Sequence, residues 1–532
     1  MRNTIRILSL ATVLAVLFVL GGAGQTAPLP PADLDAWVQR AMKTFEVPGV
    51  SLAVVKDGRV VVAKGYGVRK LGAPDPVDAR TLFGIASNTK VFTATALGIL
   101  VDEGKIRWDA PVIDYVPWFQ MSDPYVTREM TVRDLLVHRS GLGLGAGDLL
   151  WWPASTYTRK EIAQRLRYIP LATSFRSAYA YDNVLYLVAG EVIEAVSGQS
   201  WEDFMSSRII AKVGMTGSNV RHSDATRSGN VATPHAPVDG KVRPIAAFDS
   251  DNTNPAGGIN SNADDMAKWL LVQLAEGRLA DGTALVKPET ARQLSTLVTP
   301  IPIGPGPPEL KDLRPNFNGY GLGLGLRDYR GHKLLTHTGG LPGYVSKVAM
   351  IPDARLGIAI LTNQESGAAF ESIADHIMDA YLGAPPTDWI AAFEAIEKRA
   401  SAANAASTQA STGARAPGST PSLPLDRYAG KYRDAWYGDI TIAAGGPSTT
   451  LGTGGPAGLT IKFDHTPLLT GTLEHWQHDT FVARWTDREL RADAFVTFAL
   501  DADGNIESAK MRAVSPETDF SFDFQDLLLR RR

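Results

Sequence analysis

Two β-hairpin patterns, lying far apart along the first two-thirds of the chain, constrain its fold more than any other feature. Val50 to Val55 and Val60 to Tyr66 are rich in β-branched residues and join through Asp57-Gly58, a dipeptide typical of tight turns. A second pair is Tyr344 to Ile351 and Leu356 to Thr362. Helix-like patterns lie between them, at Val91 to Glu103, Val132 to His138, Lys160 to Leu166, Val184 to Val196 and Ala263 to Ala275. This order predicts an α+β domain, with an antiparallel sheet built from both ends and a helical insertion.

Composition excludes several functions. The chain has 532 residues, too many for one typical core, and its 44% hydrophobic and 20% charged residues are ordinary for a globular protein. The formal charge is −3 and the longest basic run is Arg530-Arg531-Arg532, so we expect no nucleic-acid partner. There is no cysteine and no His-Glu-x-x-His pattern, so we expect no disulfide, no metal and no cofactor.

The N-terminus has the order of a secretory signal peptide. Arg2 and Arg6 precede an apolar run from Ile7 to Leu20, and small residues follow up to Ala27. As a helix, about 14 apolar residues cover roughly 21 Å, less than the hydrocarbon core of a membrane. We therefore expect residues 1–27 to be removed, leaving a periplasmic or secreted protein without a stable membrane anchor.

The rest of the chain divides at a segment rich in Ala, Ser and Pro. Residues 391–424 contain a stretch from 400 to 422 without large apolar residues, which favours a linker. Before it, residues 28–390 form the larger predicted domain. After it, residues 425–532 hold short strand-like runs separated by Gly, Asp and Pro, which predict a small all-β, barrel-like domain.

One tetrapeptide suggests a nucleophile. Ser87-Asn88-Thr89-Lys90 is the only Ser-x-x-Lys in the chain, and it lies between a strand-like segment and an apolar helix. At a helix start, residues three apart share one face, so the Lys90 amine can reach the Ser87 hydroxyl. Burial in an apolar helix lowers the pKa of a lysine toward a value useful for a base. The tetrapeptide alone is weak, since on the order of one match is expected by chance in a chain of this size.

Two further motifs follow in order. Tyr181-Asp182-Asn183 immediately precedes an apolar helix, and residues two apart in extended chain point to the same side, here a phenol and a carboxamide. Alone, a buried tyrosine and a helix cap explain this motif more simply. His337-Thr338-Gly339-Gly340 follows a strand-like segment, where a strand edge can offer a main-chain N–H and glycine allows close approach.

Together the three motifs resemble the beta-lactamase-related serine hydrolases, which include class C β-lactamases, D,D-carboxypeptidases, D-aminopeptidases and β-lactamase-like esterases. The likeness spans about residues 32 to 385, and the tail resembles the lipocalin-like domain of some members. It implies a β-lactamase/transpeptidase-like fold, with an antiparallel sheet, flanking helices and a helical subdomain. It implies the following roles: Ser87 as nucleophile, Lys90 and Tyr181 as proton-transfer groups, Asn183, His337, Thr338 and Gly339 as substrate-binding residues, and the N–H groups of Ser87 and Gly340 as the oxyanion hole.

One departure from the β-lactamase pattern bears on the substrate. His337 stands where those enzymes carry a lysine, and a neutral imidazole attracts a carboxylate less than an ammonium does. We therefore expect an esterase, or a peptidase acting on D-amino-acid-containing substrates, rather than an efficient β-lactamase. The alternatives are a penicillin-binding sensor, a D,D-carboxypeptidase or β-lactamase, and a non-catalytic binding protein.

Two apparent motifs are set aside. Ser250-Asp251-Asn252 matches an element of class A β-lactamases, but it lies far beyond the helical insertion in a Gly/Pro/Asn-rich loop, and Asn183 already fills that role. His138 precedes Ser140-Gly141 near a predicted helix end, where a structural histidine is the simpler interpretation.

Overall fold

The computed structural model describes residues 29–413, 415–446 and 458–532. The expected signal peptide, residues 1–27, lies outside the described residues. Among the helices of the described ranges, none is both long enough and apolar enough to cross a membrane.

An antiparallel sheet forms the framework of the first domain. Its described strands run in the order β2-β1-β12-β11-β10-β9-β8-β7, and two short ribbons pair β3 with β6 and β4 with β5. The strands are β1 (Gly49–Lys56), β2 (Arg59–Gly67), β3 (Phe83–Gly84), β4 (His235–Val238), β5 (Lys241–Pro244), β6 (Asn260–Ser261), β7 (Thr299–Pro300), β8 (Asn318–Tyr320), β9 (Gly325–Tyr329), β10 (His332–Leu341), β11 (Tyr344–Ile351) and β12 (Leu356–Thr362).

The two predicted hairpins meet in the middle of this sheet. Strand β1 pairs with β12 from Val50↔Thr362 to Lys56↔Leu356, so both ends of the domain contribute to one sheet, as predicted. Both strands are buried on both faces: Leu52 and Ile360 contribute to one apolar core, Ala53 and Leu361 to the other. This double burial explains why both strands read as continuous apolar runs rather than as alternating patterns.

Helices cover both faces of the sheet. On one face α1 and α11 pack against the smaller core, while α2, α5 and α9 pack in the larger core on the other. The helices are α1 (Leu34–Thr44), α2 (Thr89–Asp102), α3 (Pro124–Glu129), α4 (Arg159–Arg165), α5 (Val184–Ser197), α6 (Trp201–Phe204), α7 (Ala211–Val213), α8 (Asn254–Gly257), α9 (Ala263–Leu274), α10 (Pro288–Leu294), α11 (Gly367–Leu382) and α12 (Trp389–Gly413). The predicted helices at α2, α4, α5 and α9 are therefore present within one or two residues.

Two segments have a different structure from the one predicted. Residues 132–138 form only a 3-10 turn, Asp134–Leu136, and His138 has a positive φ of 54°. The Asp134 carboxylate accepts hydrogen bonds from Thr131 and Arg139, and such local side-chain bonds compete with a continuous helix. The expected linker begins with helix α12, whose first turns are anchored by buried Trp389 and Phe393.

The second domain is a closed barrel within the described residues, as the all-β prediction implied. Its strands are β13 (Gly430–Asp434), β14 (Gly438–Gly446), β15 (Gly458–Phe463), β16 (Thr470–Gln477), β17 (Thr480–Trp485), β18 (Ala494–Leu500), β19 (Ile506–Ala513) and β20 (Leu528–Arg531), and β13 pairs with β20 to close it. Buried aromatic rings such as Tyr432, Phe463 and Phe498 fill its core. This core is continuous with the larger core of the first domain, so the domains pack against each other.

Candidate active site

Ser87 lies on a tight turn between strand β3 and helix α2. Residues Ala86–Asn88 form a 3-10 turn that leads directly into α2. Ala86 has a φ of 50°, a left-handed conformation that is costly for a residue with a Cβ. The strain is held by surrounding contacts, and the turn presents the half-buried Ser87 side chain to a cavity.

Strand β10 presses directly on this turn. A Cβ at Gly339 would lie 2.2 Å from the Ile85 carbonyl oxygen and 2.5 Å from Ser346 Oγ. Ser346 itself donates a hydrogen bond to the Ile85 carbonyl at 2.7 Å and accepts one from Asn88 at 2.8 Å. The absence of a side chain at Gly339 therefore lets β10 and β11 hold the backbone on both sides of Ser87.

Lys90 lies one turn further along, with its amine against the Ser87 hydroxyl. Lys90 Nζ is 3.0 Å from Ser87 Oγ, 2.7 Å from Asn183 Oδ1 and 3.0 Å from the Ala256 carbonyl oxygen. The side chain is fully buried, and this burial lowers the pKa of the amine to about 7, although the charges of Asp148 and Asp182 act in the opposite direction.

These three partners define what the Lys90 amine can do. Asn183 Oδ1 and the Ala256 carbonyl only accept hydrogen bonds, so a neutral amine donates its two protons to them. Its lone pair then faces Ser87 Oγ, ready to take the hydroxyl proton. With a pKa near neutrality, the neutral form is well populated at physiological pH, so Lys90 is suited to act as the general base.

Tyr181 is a second partner of the Ser87 hydroxyl. Its phenol hydrogen-bonds with Ser87, and its ring lies 4.9 Å from Lys90 Nζ and 4.2 Å from the ring of His138. Burial raises the pKa of Tyr181 well above its usual value, so the phenol stays protonated. A protonated phenol beside Ser87 suits a proton shuttle rather than the primary base.

Asn183 connects Lys90 to a carboxylate that sequence reasoning missed. Its Nδ2 donates to Asp148 Oδ2 at 2.8 Å, while its Oδ1 accepts from Lys90. Both ends of the amide are therefore engaged within the protein. This geometry orients the lysine, and Asn183 also lines the cavity, where its predicted substrate-binding role stays a prediction.

His337 lies at the cavity wall with both ring nitrogens engaged. The Tyr320 hydroxyl contacts Nε2 at 2.7 Å, and the Thr338 carbonyl oxygen lies 2.5 Å from Nδ1. A carbonyl can only accept, so Nδ1 carries the proton and Nε2 accepts from the tyrosine. Burial lowers the pKa of His337 to about 3. The imidazole is therefore neutral and offers no positive charge to a substrate carboxylate.

The end of β10 supplies an open backbone edge. Residues 332–336 pair with β9, but residues 337–341 pair with β11 alone. Thr338 and Gly340 are exposed on this part of the strand and line the cavity beside Ser87. A Cβ at Gly340 would have no atom within 4 Å, so a substrate can approach its backbone closely. This placement suits the oxyanion-hole role expected of Gly340.

The cavity over Ser87 measures about 490 Å³ and has walls from both domains. Trp151, Trp152 and Tyr179 come from the first domain, and Asp519, Phe520 and Ser521 come from the barrel. A neighbouring cavity of about 610 Å³ shares Trp152, Gly340, Leu341 and Asp519 with it. The two cavities therefore adjoin at these four residues.

The two motifs that were set aside as non-catalytic make hydrogen bonds within the protein. The Asp251 carboxylate accepts a hydrogen bond from Ser223 Oγ at 2.6 Å, and Asn252 donates to the Tyr157 carbonyl at 2.9 Å, so both hold loops together. His138 is buried against the Tyr181 ring, and its Nδ1 accepts from the Asp182 N–H at 3.2 Å. Asp148 directly follows the Gly-rich stretch from 141 to 147, and no local sequence signal marks it as a functional residue.

Comparison with known proteins assigns a family model to each domain. The Beta-lactamase family model matches residues 34–382, and a model described as Domain of unknown function (DUF3471) matches residues 414–531. Unguisins hydrolase ungD from Aspergillus violaceofuscus is 28% identical over 483 residues, covering 85% of this chain and 82% of that protein.

Solved structures show the same fold. The octameric penicillin-binding protein homologue from Pyrococcus abyssi matches with a TM-score of 0.57 and 21% identity, covering 94% of this chain and 99% of that one. D-amino acid amidase from Ochrobactrum anthropi SV3, complexed with L-phenylalanine amide, matches with a TM-score of 0.54 and 25% identity over 66% of this chain and 98% of that one. With the Ser87 and Lys90 arrangement on a matching framework, the chain belongs to the Beta-lactamase family of serine hydrolases.

Proposed function

We propose that this protein is an exported acyl hydrolase that cleaves ester or amide bonds, most favourably in substrates containing D-amino acids, through a covalent Ser87 acyl-enzyme. One observation carries the proposal: the buried Lys90 amine lies 3.0 Å from Ser87 Oγ. Its two other hydrogen bonds go to Asn183 Oδ1 and the Ala256 carbonyl oxygen, which can only accept. That arrangement activates a serine hydroxyl as a nucleophile.

The reaction follows from the positions of these groups. Ser87 Oγ attacks the substrate carbonyl carbon while its proton moves to Lys90 Nζ. The N–H groups of Ser87 and Gly340 hold the oxyanion. The bond to the leaving group then breaks as a proton passes from Lys90, through the Tyr181 hydroxyl, to the departing nitrogen or oxygen. Water repeats the sequence on the acyl-enzyme, which releases the acid and restores Ser87.

The choice of substrate rests on charge, space and similarity. The neutral His337 offers a substrate carboxylate no charge at the position where β-lactamases carry a lysine, although Arg327 also lines the cavity. The two adjoining cavities lie within the size range of small-ligand pockets and could take the acyl and leaving portions of an extended substrate. The similarity to a D-amino acid amidase favours amides over simple esters.

Intact mass after exposure to a fluorophosphonate, and separately to a penicillin, tests the nucleophile. We expect a fluorophosphonate adduct on the wild type that is lost in Ser87→Ala, and turnover of a D-alanyl anilide or a p-nitrophenyl ester that is lost with it. A matched control is Ser372→Ala, since Ser372 is a buried serine on α11 that donates to the Ala369 carbonyl and does not line the cavity, so this variant should keep both labelling and turnover. An adduct or turnover that survives in Ser87→Ala would refute the mechanism. A stable penicillin adduct without turnover would favour the penicillin-binding sensor.

The pH dependence should report the Lys90 amine. Only the neutral amine can accept the Ser87 proton, so kcat/KM should rise with pH and reach half its plateau near the pKa of about 7. Measurement of kcat/KM for an uncharged ester between about pH 5 and pH 9 checks this, because such a substrate does not itself titrate. A flat profile across this range would mean that another group serves as the base.

Export is tested separately. We infer from residues 1–27 that the mature chain begins near Pro28 and lies in the periplasm or medium. Expression of the full chain in a bacterial host, followed by N-terminal sequencing of the extracytoplasmic fraction, should show loss of this segment. Retention of Met1 in a cytoplasmic product would overturn the inference.

A further inference from the structure

A segment of the barrel reaches the edge of the catalytic cavity. Between β19 and β20, the residues Asp519, Phe520 and Ser521 line the cavity that contains Ser87. The Phe520 ring stands perpendicular to the Tyr181 ring, with centroids 6.2 Å apart. A Cβ at Gly145 would lie 2.7 Å from the Phe520 ring, so the segment packs closely against the first domain.

The same segment holds the loop that carries Asp148. Ser521 Oγ donates to Asp148 Oδ2 at 2.9 Å. The two oxygens of the Asp523 carboxyl accept the backbone N–H groups of Gly147 at 2.7 Å and Leu149 at 3.0 Å. The barrel therefore binds Asp148 itself and the residues on both sides of it. Asp148 and Asp523 are both completely buried.

Asp148 in turn decides which end of the Asn183 amide meets the lysine. Its Oδ1 accepts from Trp151 Nε1 at 3.0 Å, and its Oδ2 accepts from Asn183 Nδ2 at 2.8 Å. The ionised carboxylate can only accept, so it pairs with the NH₂ end of the amide, and the amide oxygen then faces Lys90. If the amide were reversed, its NH₂ group would face the N–H donors of Lys90, and the hydrogen bond between Lys90 and Asn183 would be lost.

We propose that Asp148 is a positioning residue for the catalytic lysine, and that the C-terminal barrel completes the active site by supplying Ser521 and Asp523 to hold it. An unbroken series of hydrogen bonds connects Ser521 to Asp148, Asn183, Lys90 and finally Ser87. The proposal rests on the function proposed above, since it assigns the barrel a part in the same reaction.

Besides positioning the lysine, Asp148 also affects the pKa of its amine. The charges of Asp148 and Asp182 both raise the pKa of Lys90, against the larger opposing effect of burial. Burial raises the pKa of Asp148 to about 7, and it raises that of Asp523 well above the usual value, to which the charge of Asp148 adds. The other titratable groups around the lysine are Tyr181, Tyr186, His138 and His337. Removing the negative charge of Asp148 should therefore favour the neutral lysine and shift the acidic limb of the rate profile to lower pH.

The test compares variants of the full chain. Ser521→Ala removes one hydrogen bond to Asp148 and should lower kcat for a p-nitrophenyl ester about tenfold with little change in KM. Asp148→Asn should lower kcat about a hundredfold and move the acidic limb of kcat/KM to lower pH. Ser508→Ala, in a half-buried barrel serine that lines neither cavity, should behave as wild type.

The design separates this inference from the proposed function. Fluorophosphonate labelling of wild-type Ser87 reports the nucleophile, and its failure would refute the function itself. If wild type is labelled and active, but kcat and the pH profile of Ser521→Ala and Asp148→Asn both match wild type, only the role of Asp148 and the barrel is overturned. Thermal unfolding of each variant identifies a folding defect, and Ser521→Ala keeps the test decisive if Asp148→Asn does not fold.

Discussion

Replacing Lys90 by methionine should reduce kcat/KM for an ester or anilide substrate by about a thousandfold, the range expected for losing a general base. Methionine has a similar length and fills the same apolar space, but it cannot accept the proton that Lys90 takes from Ser87 Oγ at 3.0 Å. The remaining Tyr181 is a poor base because burial holds its pKa well above the usual value. Steady-state turnover and the rate of fluorophosphonate labelling should both fall.

The control for this variant is another lysine changed in the same way. Lys64 lies on β2, is about half exposed and pairs with Asp35 at the surface. Lys64→Met should therefore keep the wild-type rate, since exposed ion pairs contribute little to stability. If Lys90→Met retained substantial turnover while Lys64→Met was normal, the base would have to be Tyr181, with a pKa far lower than its burial indicates.

The framework of the fold was predictable because its signals are local. The β1–β2 hairpin could be predicted from its β-branched runs and its Asp57-Gly58 turn. The β11–β12 hairpin could be predicted in the same way, from two strand-like runs joined by a short turn. Helix α2 likewise carries its own pattern, and the spacing of Ser87 and Lys90 fixes their proximity without any tertiary information. Such features could be predicted because each depends on residues close together in the chain.

The parts that sequence reasoning missed depend on distant partners. Asp148 meets Ser521 across 373 positions, and each lies in an irregular segment without a local pattern. His337 was singled out from its motif alone, but its hydrogen bond with Tyr320 depends on how β8 and β10 are placed. Buried polar pairs of this kind follow from tertiary packing, so no spacing rule exposes them.

Helix α12 shows a different reason for a missed element. The stretch from 400 to 422 has no large apolar residues, and this was interpreted as a linker. Yet alanine has the highest helix propensity, and buried Trp389 and Phe393 anchor the beginning of the helix on the first domain. The anchored first turn therefore lets the helix continue through residues that bury little surface of their own.

Gly339→Ala should reduce turnover by about a hundredfold and lower the stability of the fold by about 1 to 3 kcal/mol. The new Cβ would lie 2.2 Å from the Ile85 carbonyl oxygen, a backbone atom of the turn that carries Ser87. Backbone cannot rotate away as a flexible side chain can, so β10 and the turn must separate. A shift of about 1 Å at the nucleophile is enough for a loss of this size.

Gly340→Ala is the matched comparison, because its Cβ would meet no atom within 4 Å. It keeps the backbone N–H and should unfold at the wild-type temperature, although its methyl group enters the substrate cavity. Measurement of thermal unfolding and of labelling by a fluorophosphonate on both variants separates the two effects. A Gly339→Ala protein with wild-type stability and labelling would show that the close approach of β10 does not fix Ser87, and that the strained Ala86 turn is held by helix α2 and its other neighbours instead.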